Sequence, residues 1–285
     1  MNATARATGL SKNYGDVRAL DDVSFEIGDG RIVGLIGPNG AGKTTALKAL
    51  LGLTDFRGDL EVLGMDPRED RPRLMHDVCF IADVAVLPRW IRVSQALDFV
   101  EGVHPKFSRE KAEAFLATTK IRRDARVRQL SKGMIVQLHL ALVMAIDARF
   151  LVLDEPTLGL DILYRKEFYS RLLNDYFDDQ RTILVTTHQV EEVENILTDL
   201  MFIKDGQLVL SATMDEVGER FIELMVAPDS ADEARKLGPI HERKVFGRNV
   251  FLFDGIDRGR LEGLGEIHRP TVADLFVAIM QGNNS

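Results

Sequence analysis

"RIVGLIGPNGAGKTTALKALLGL", residues 31–53, runs from an apolar segment through a cluster of glycines into apolar residues at helical spacing. That order predicts strand, loop and helix. Within it, Gly37 to Thr45 read "GPNGAGKTT", which fits G-x-x-x-x-G-K-[ST] in the context the pattern requires. The chemistry follows from the residue types. Glycines let the backbone curl so that successive N–H groups point inward at phosphate oxygens, and Lys43 adds a charge that reaches the outer phosphates. The Thr44 hydroxyl suits Mg²⁺. Gly37, Pro38, Asn39, Gly40, Ala41, Gly42, Lys43, Thr44 and Thr45 are therefore the candidate nucleotide-phosphate residues. A ligand-free Gly-rich turn is the competing reading, and the flanking strand and helix weigh against it.

Further along the chain, "FLVLDEP" (150–156) and "RTILVTTH" (181–188) are continuous apolar runs, as expected of parallel strands buried on both faces. Helical patterns precede each, so the core reads as a βα-alternating sheet. The first run ends in paired acids. Asp154 stands where it can hold magnesium, and Glu155 where a base for an attacking water is useful. A solvated strand end is the plain alternative, and the phosphate loop makes it the weaker one.

The periphery is read more coarsely. Residues 7–32 suggest short strands with Asp29-Gly30 as a turn. A charged, helix-rich stretch from about Asp70 to Leu130, with "SQALDFVEGV" and "SREKAEAFLATTK", predicts a separate small lobe. "MFIKDGQLVLSA" (201–212) predicts a hairpin around Asp205-Gly206. Past about Asp215 the texture changes: "FIELMVA", "ERKVF" and "NVFLFDG" read as strands and "DSADEARKL" as a helix. "TVADLFVAIMQ" reads as a C-terminal helix with Thr271 and Asp274 at capping spacing.

Composition narrows the function classes. The chain has 285 residues, 45% of them hydrophobic and 28% charged, which is ordinary globular chemistry. A formal charge of -8 argues against a nucleic-acid partner, since phosphate neutralisation needs surplus Lys and Arg. The single cysteine, Cys79, permits no intramolecular disulfide and reads as a small core residue. "MNATARATGL" lacks the apolar core of a signal peptide. The most apolar stretch, Leu138 to Ile146, is about half the roughly 20 residues of a membrane helix.

One motif resists the core reading. "LSKGMIVQLHLAL" (130–142) opens an apolar helix with Ser131, Lys132 and Gly133, a cap suited to holding an anion. A plain helix cap is the bland alternative.

In this order, the motifs resemble the nucleotide-binding ATPase subunit of ABC transporters, over about Ala7 to Asp215. "LSKGM" looks like the family's signature sequence, "TLGLD" ending in Asp161 like its interface-crossing loop, and His188 like the histidine that contacts the γ-phosphate. Tyr14 in "KNYGDVRAL" stands in the place of the adenine-stacking aromatic. The resemblance implies an α/β P-loop NTPase core with a mostly parallel sheet and an antiparallel β subdomain. It also implies a helical insertion at about 70–145 within an ATPase domain of 1–214, and the change of texture past Asp215 predicts a small α+β appendix of 215–285. It implies ATP and Mg²⁺ as ligands, with Lys43, Glu155 and His188 catalytic and Thr44, Asp154 and Asp83 at the metal. Asp83 takes the place of the family's usual glutamine, and Lys132 and Met134 replace its usual glycine and glutamine in the signature.

Two subunits pack head to tail in this family, so Ser131, Lys132 and Gly133 would serve the other chain's ATP, with Asp161 at the interface. The implied partners are a second ATPase subunit, identical or not, and a separately encoded multi-span permease, export-type by the character of the appendix. The implied place is the cytoplasmic face of a bacterial membrane. An ABC-type ATPase acting on a soluble macromolecular complex is the alternative. A small-molecule kinase using the same phosphate loop would leave "LSKGM" and "TLGLD" unexplained.

Overall fold

The structure is a computed structural model that describes residues 3–82, 87–158 and 160–281. Its central sheet has six strands in the order Val78–Ile81, Phe150–Asp154, Thr182–Thr187, Ile32–Ile36, Asp199–Lys204 and Gln207–Thr213. The first five run parallel, and Gln207–Thr213 returns antiparallel. Every residue of Ile32–Ile36, Phe150–Asp154 and Thr182–Thr187 is buried, which is why these strands read as unbroken apolar runs. The hairpin turns at Asp205 and Gly206, both with positive φ (49° and 79°), the type I′ geometry that matches strand twist.

A different layer covers each face. On one side a three-stranded antiparallel sheet, ordered Val17–Gly28, Ala3–Tyr14, Arg57–Val62, packs with the Lys43–Leu50 helix around Leu10, Leu20, Leu47 and Val62. On the other, helices Lys132–Met144 and Ile162–Arg171 bury Leu140, Phe168 and Tyr169. The result is a three-layer α/β arrangement with its core on both sides of the sheet.

The small lobe is shorter than the sequence suggests. Val78–Ile81 pairs in parallel register with Phe150–Leu153, so these four residues belong to the central sheet, and the Arg71–Leu74 turn of helix before them buries Leu74 in the core around Leu47 and Val62. The strand's four-residue apolar run is too short to stand out among charged neighbours. The lobe's own core begins at Val93 and gathers Leu97, Leu116, Val127, Leu138 and Leu142 from helices Val93–Val103, Arg109–Ala117 and the flank of Lys132–Met144.

Beyond Asp215 a four-stranded antiparallel sheet, ordered His241–Val245, Arg248–Asp254, Phe221–Val226, Glu266–His268, encloses a small core with the Ala231–Lys236 helix. The last helix, Val272–Gln281, leaves this sheet. Its Val272, Leu275 and Ala278 are buried in the main core, and Phe276 meets Phe202 edge to face at 5.2 Å. Thr271 caps it as its spacing predicts, accepting from Asp274 N at 3.1 Å.

Candidate functional site

The phosphate loop leaves the carboxyl end of the Ile32–Ile36 strand, the edge at which open parallel sheets gather ligands. Two glycines are obligatory there. Gly42 has φ 111°, and a Cβ on it would lie 2.5 Å from the Ala19 carbonyl; on Gly37 it would lie 2.4 Å from that of Ile203. Gly42 caps the Lys43–Leu50 helix without any side-chain hydrogen bond, so the first-turn N–H groups and the positive helix end are offered to the loop. The hairpin braces it from behind, with Gly206 N donating to Ala41 O at 3.0 Å.

Lys43 is buried and folds back over the loop. Its Nζ donates to the Gly37 carbonyl at 2.7 Å and the Pro38 carbonyl at 3.3 Å, and stands 3.7 Å from Glu155 Oε1. Burial lowers its pKa, while the charges of Glu155 and Asp154 oppose that and favour the ammonium. Pro38, Asn39, Gly40 and Thr44 are open to solvent, where a ligand can reach them.

Asp154 ends its strand buried, with both oxygens engaged. Thr44 Oγ1 donates to Oδ2 at 3.2 Å and Thr186 Oγ1 to Oδ1 at 2.6 Å. A hydroxyl and a carboxylate are hard oxygen donors of the kind Mg²⁺ prefers. No group of three or more His, Cys, Asp or Glu converges among the described residues. The donor set fits Mg²⁺.

Glu155 follows in a left-handed conformation, φ 47°, rare for a non-glycine residue. Its N–H is fixed by Thr186, through the carbonyl at 3.1 Å and the hydroxyl at 3.3 Å. This strained turn throws the carboxylate back over the loop, where Oε2 lies 2.9 Å from His188 Nδ1. Lys43, Thr44, Asp154, Glu155 and His188 thus form one connected cluster.

Of the other sequence candidates, Ser131, Lys132, Gly133, Asp161 and Tyr14 share no hydrogen bond or ion pair with that cluster among the described residues. Ser131 caps its helix, accepting from Met134 N at 3.2 Å, and it and Lys132 are exposed. Gly133 is buried instead, since Tyr164 covers it so closely that a Cβ would lie 2.3 Å from Tyr164 Cζ. Asp161 caps the following helix, accepting from Leu163 N and Tyr164 N. Tyr14 is half exposed at the end of its strand, with Lys12 Nζ 4.9 Å from its ring centre. Asp83 lies outside the described residues.

Sequence reading misses four groups that hold the cluster: Thr186, Arg165, Gln189 and Glu192. Thr186 ties both acids down. Arg165 spans two loops, with Nε donating to the Leu160 carbonyl at 2.7 Å and NH1 to both Gln189 and Glu192. Glu192 in turn accepts from Thr157 Oγ1 at 3.0 Å. The segment before Asp161 and the segment after His188 are thereby joined.

With this geometry in view, residues 20–158 match the family model described as ABC transporter. The Nod factor export ATP-binding protein I of Burkholderia thailandensis is 32% identical over 297 aligned positions, covering 95% of this chain and 94% of the relative. The ABC transporter ATP-binding protein YtrB of Bacillus subtilis is 28% identical over 78% of this chain and 76% of its own length. Among solved structures, an ATP binding subunit of an ABC transporter superposes with TM-score 0.66 at 24% identity, covering 76% of this chain and 92% of that one. The cbiO1 subunit from Clostridium perfringens gives TM-score 0.65 at 24% identity, covering 76% of this chain and 91% of that one. At that identity the structural likeness bears on the fold.

Proposed function

The chain belongs to the ABC transporter family as an ATP-binding, ATP-hydrolysing subunit, and from that premise we propose that it powers export through a separately encoded multi-span permease. The relatives named for export support the direction. No helix among the described residues is long and apolar enough to cross a membrane, in keeping with attachment through the permease on the cytoplasmic face.

One observation carries the mechanism: the anion-binding groups are split. One set is the cluster around Lys43, Glu155 and His188; the other is the Ser131–Lys132 cap, which is exposed and shares no hydrogen bond or ion pair with that cluster among the described residues. A second subunit reconciles them. Head-to-tail packing sets the cap of each chain, with Gly133 and Asp161 beside it, against the nucleotide held by the other. Two polyanionic nucleotides repel unless donors compensate, so ATP joins the subunits and hydrolysis releases them.

Within each site, Gly37–Thr45 cradle the phosphates and Tyr14 stands by for the base. Thr44 and Asp154 would hold Mg²⁺, which when bound would neutralise phosphate charge. Glu155 accepts the proton of the attacking water, and His188 holds that carboxylate in place and reaches toward the γ-phosphate. Lys43 and the opposite Ser131 balance charge on the transferring group. The ATPase unit is residues 1–214 with its helical lobe, and 215–285 is an accessory region whose last helix is anchored in the ATPase core.

The test is isolation of the tagged chain from detergent-solubilised membranes with Glu155 intact or changed. A polytopic subunit should co-isolate, and Glu155→Gln should retain ATP while turnover falls about a hundredfold, the scale of a lost general base. Turnover unchanged in Glu155→Gln, or association with ribosomes or nucleic acid in place of the polytopic subunit, would reject the reading.

A further inference from the structure

The small lobe carries a second site candidate on the side away from its core. Segments 89–94 and 122–128 are stitched into an antiparallel ribbon: Val93 N donates to the Ala125 carbonyl and Val127 N to the Ile91 carbonyl, both at 3.0 Å. These two bonds flank the bridge between Arg92 and Arg126, which makes it a close, non-hydrogen-bonded pair. Alternation then fixes the faces. Val93 and Val127 are buried at 0% and 3% exposure, so Arg92 and Arg126 project together from the opposite face.

Like charges directly opposite one another weaken a ladder, and among the described residues no acid is paired with either arginine. Arg92, Lys120, Arg122, Arg126 and Arg128 line a depression of about 490 Å³ with one acid, Asp124. The Asp124 carboxylate is already paired with Arg122 at 2.7 Å, and Arg92 reaches only its carbonyl, at 2.8 Å. Arg126, Arg128 and Lys120 have no ion pair among the described residues. This concentration of cations sits in a chain of net charge -8. In the 89–94 segment, two residues before Arg92, Trp90, the only tryptophan of the protein, stands 69% exposed.

We propose that this ribbon is a docking surface for the anionic phospholipid headgroups of the membrane face on which the subunit works. It rests on the membrane-attached reading above. The chemistry favours lipid over a soluble anion: tryptophan is enriched at the bilayer–water boundary, and clustered arginines gain from a negative leaflet. A soluble phosphate site would have no use for an exposed indole. Contact here holds the small lobe against the bilayer beside the permease and presents the adjoining Ser131 cap in a fixed orientation.

The lone tryptophan supplies the readout. Full-length protein is titrated with vesicles of phosphatidylcholine alone or with one third phosphatidylglycerol, following Trp90 emission and co-sedimentation. Anionic vesicles should bind the protein and shift its emission to the blue, and neutral ones should not. The triple variant Arg92→Gln, Arg126→Gln, Arg128→Gln should bind about a hundredfold more weakly, from the loss of three charges near the surface. Its ATP turnover should match the parent's, which separates failure here from failure of the ATPase reading. The proposal is overturned if anionic vesicles give no shift, if inorganic phosphate alone reproduces it, or if the triple variant binds vesicles normally. It is also overturned if the three arginines prove necessary only for binding the permease.

Discussion

Among single residues, the candidate site is held together by side chains that lie outside the phosphate loop. Asp154 and Thr186 are direct partners in the register of two parallel strands, so the Thr186 hydroxyl meets the Asp154 carboxylate and its carbonyl meets Glu155 N. Arg165 has the corresponding role in the next layer outward. It is 23% exposed and Glu192 16%, so truncating the arginine leaves a poorly solvated carboxylate without its partner. Because it grips Gln189, the residue after His188, we expect Arg165→Ala to lower kcat about tenfold with little change in the KM for ATP, the signature of lost transition-state positioning. Arg165→Lys keeps the charge but not the planar fork that reaches two loops, and should recover only a fraction of the rate. Steady-state hydrolysis by folded variants decides it, and an unaltered kcat in Arg165→Ala would remove the positioning role.

Among the secondary-structure elements, the two helices that border the proposed interface meet at a glycine–tyrosine contact. Gly133, in the first turn of Lys132–Met144, lies against the ring of Tyr164, in the first turn of Ile162–Arg171. The glycine thus leaves room for the Tyr164 ring in the packing of the two helices. Gly133→Ala forces a methyl into that ring and should destabilise the chain by about 1–3 kcal/mol, the usual cost of overpacking. In the double variant with Tyr164→Ala most of that loss should return, and denaturant unfolding of the four-member cycle measures the coupling. Additive losses would mean that the two helices do not meet there.

The same contact marks what the chain's sequence reveals. The phosphate loop, the Asp154-Glu155 pair and the helix caps are legible because their chemistry is written in contiguous residues. The contacts Gly133–Tyr164, Asp154–Thr186 and Arg165–Glu192 join residues that only tertiary folding brings together, and no local pattern announces them. The return of the Val272–Gln281 helix to the main core is hidden for the same reason: its apolar face is evident, but its partner Phe202 is not.

For the molecule as a whole, the exposed Ser131 cap serves either its own chain or another. An intrachain site would place the cap and Lys43 on one nucleotide; a head-to-tail dimer divides them between two chains. Two inactive variants distinguish these cases. Lys43→Ala removes the phosphate lysine, and Ser131→Arg blocks the cap with a bulky charge while leaving the helix behind it intact. If the site is shared, a mixed dimer contains one site with both defects and one with neither. An equal mixture should then regain about a quarter of the parent turnover, since half the dimers are mixed and half of their sites are whole, provided the subunits assort freely in a symmetric assembly. If each chain completes its own site, every site in the mixture keeps one defect and turnover stays at the level of the separate variants. Partial recovery that rises with the proportion of mixed dimer would place Ser131 on the partner's nucleotide, and its absence, with mixed dimers demonstrated by differential tagging, would return the cap to its own chain.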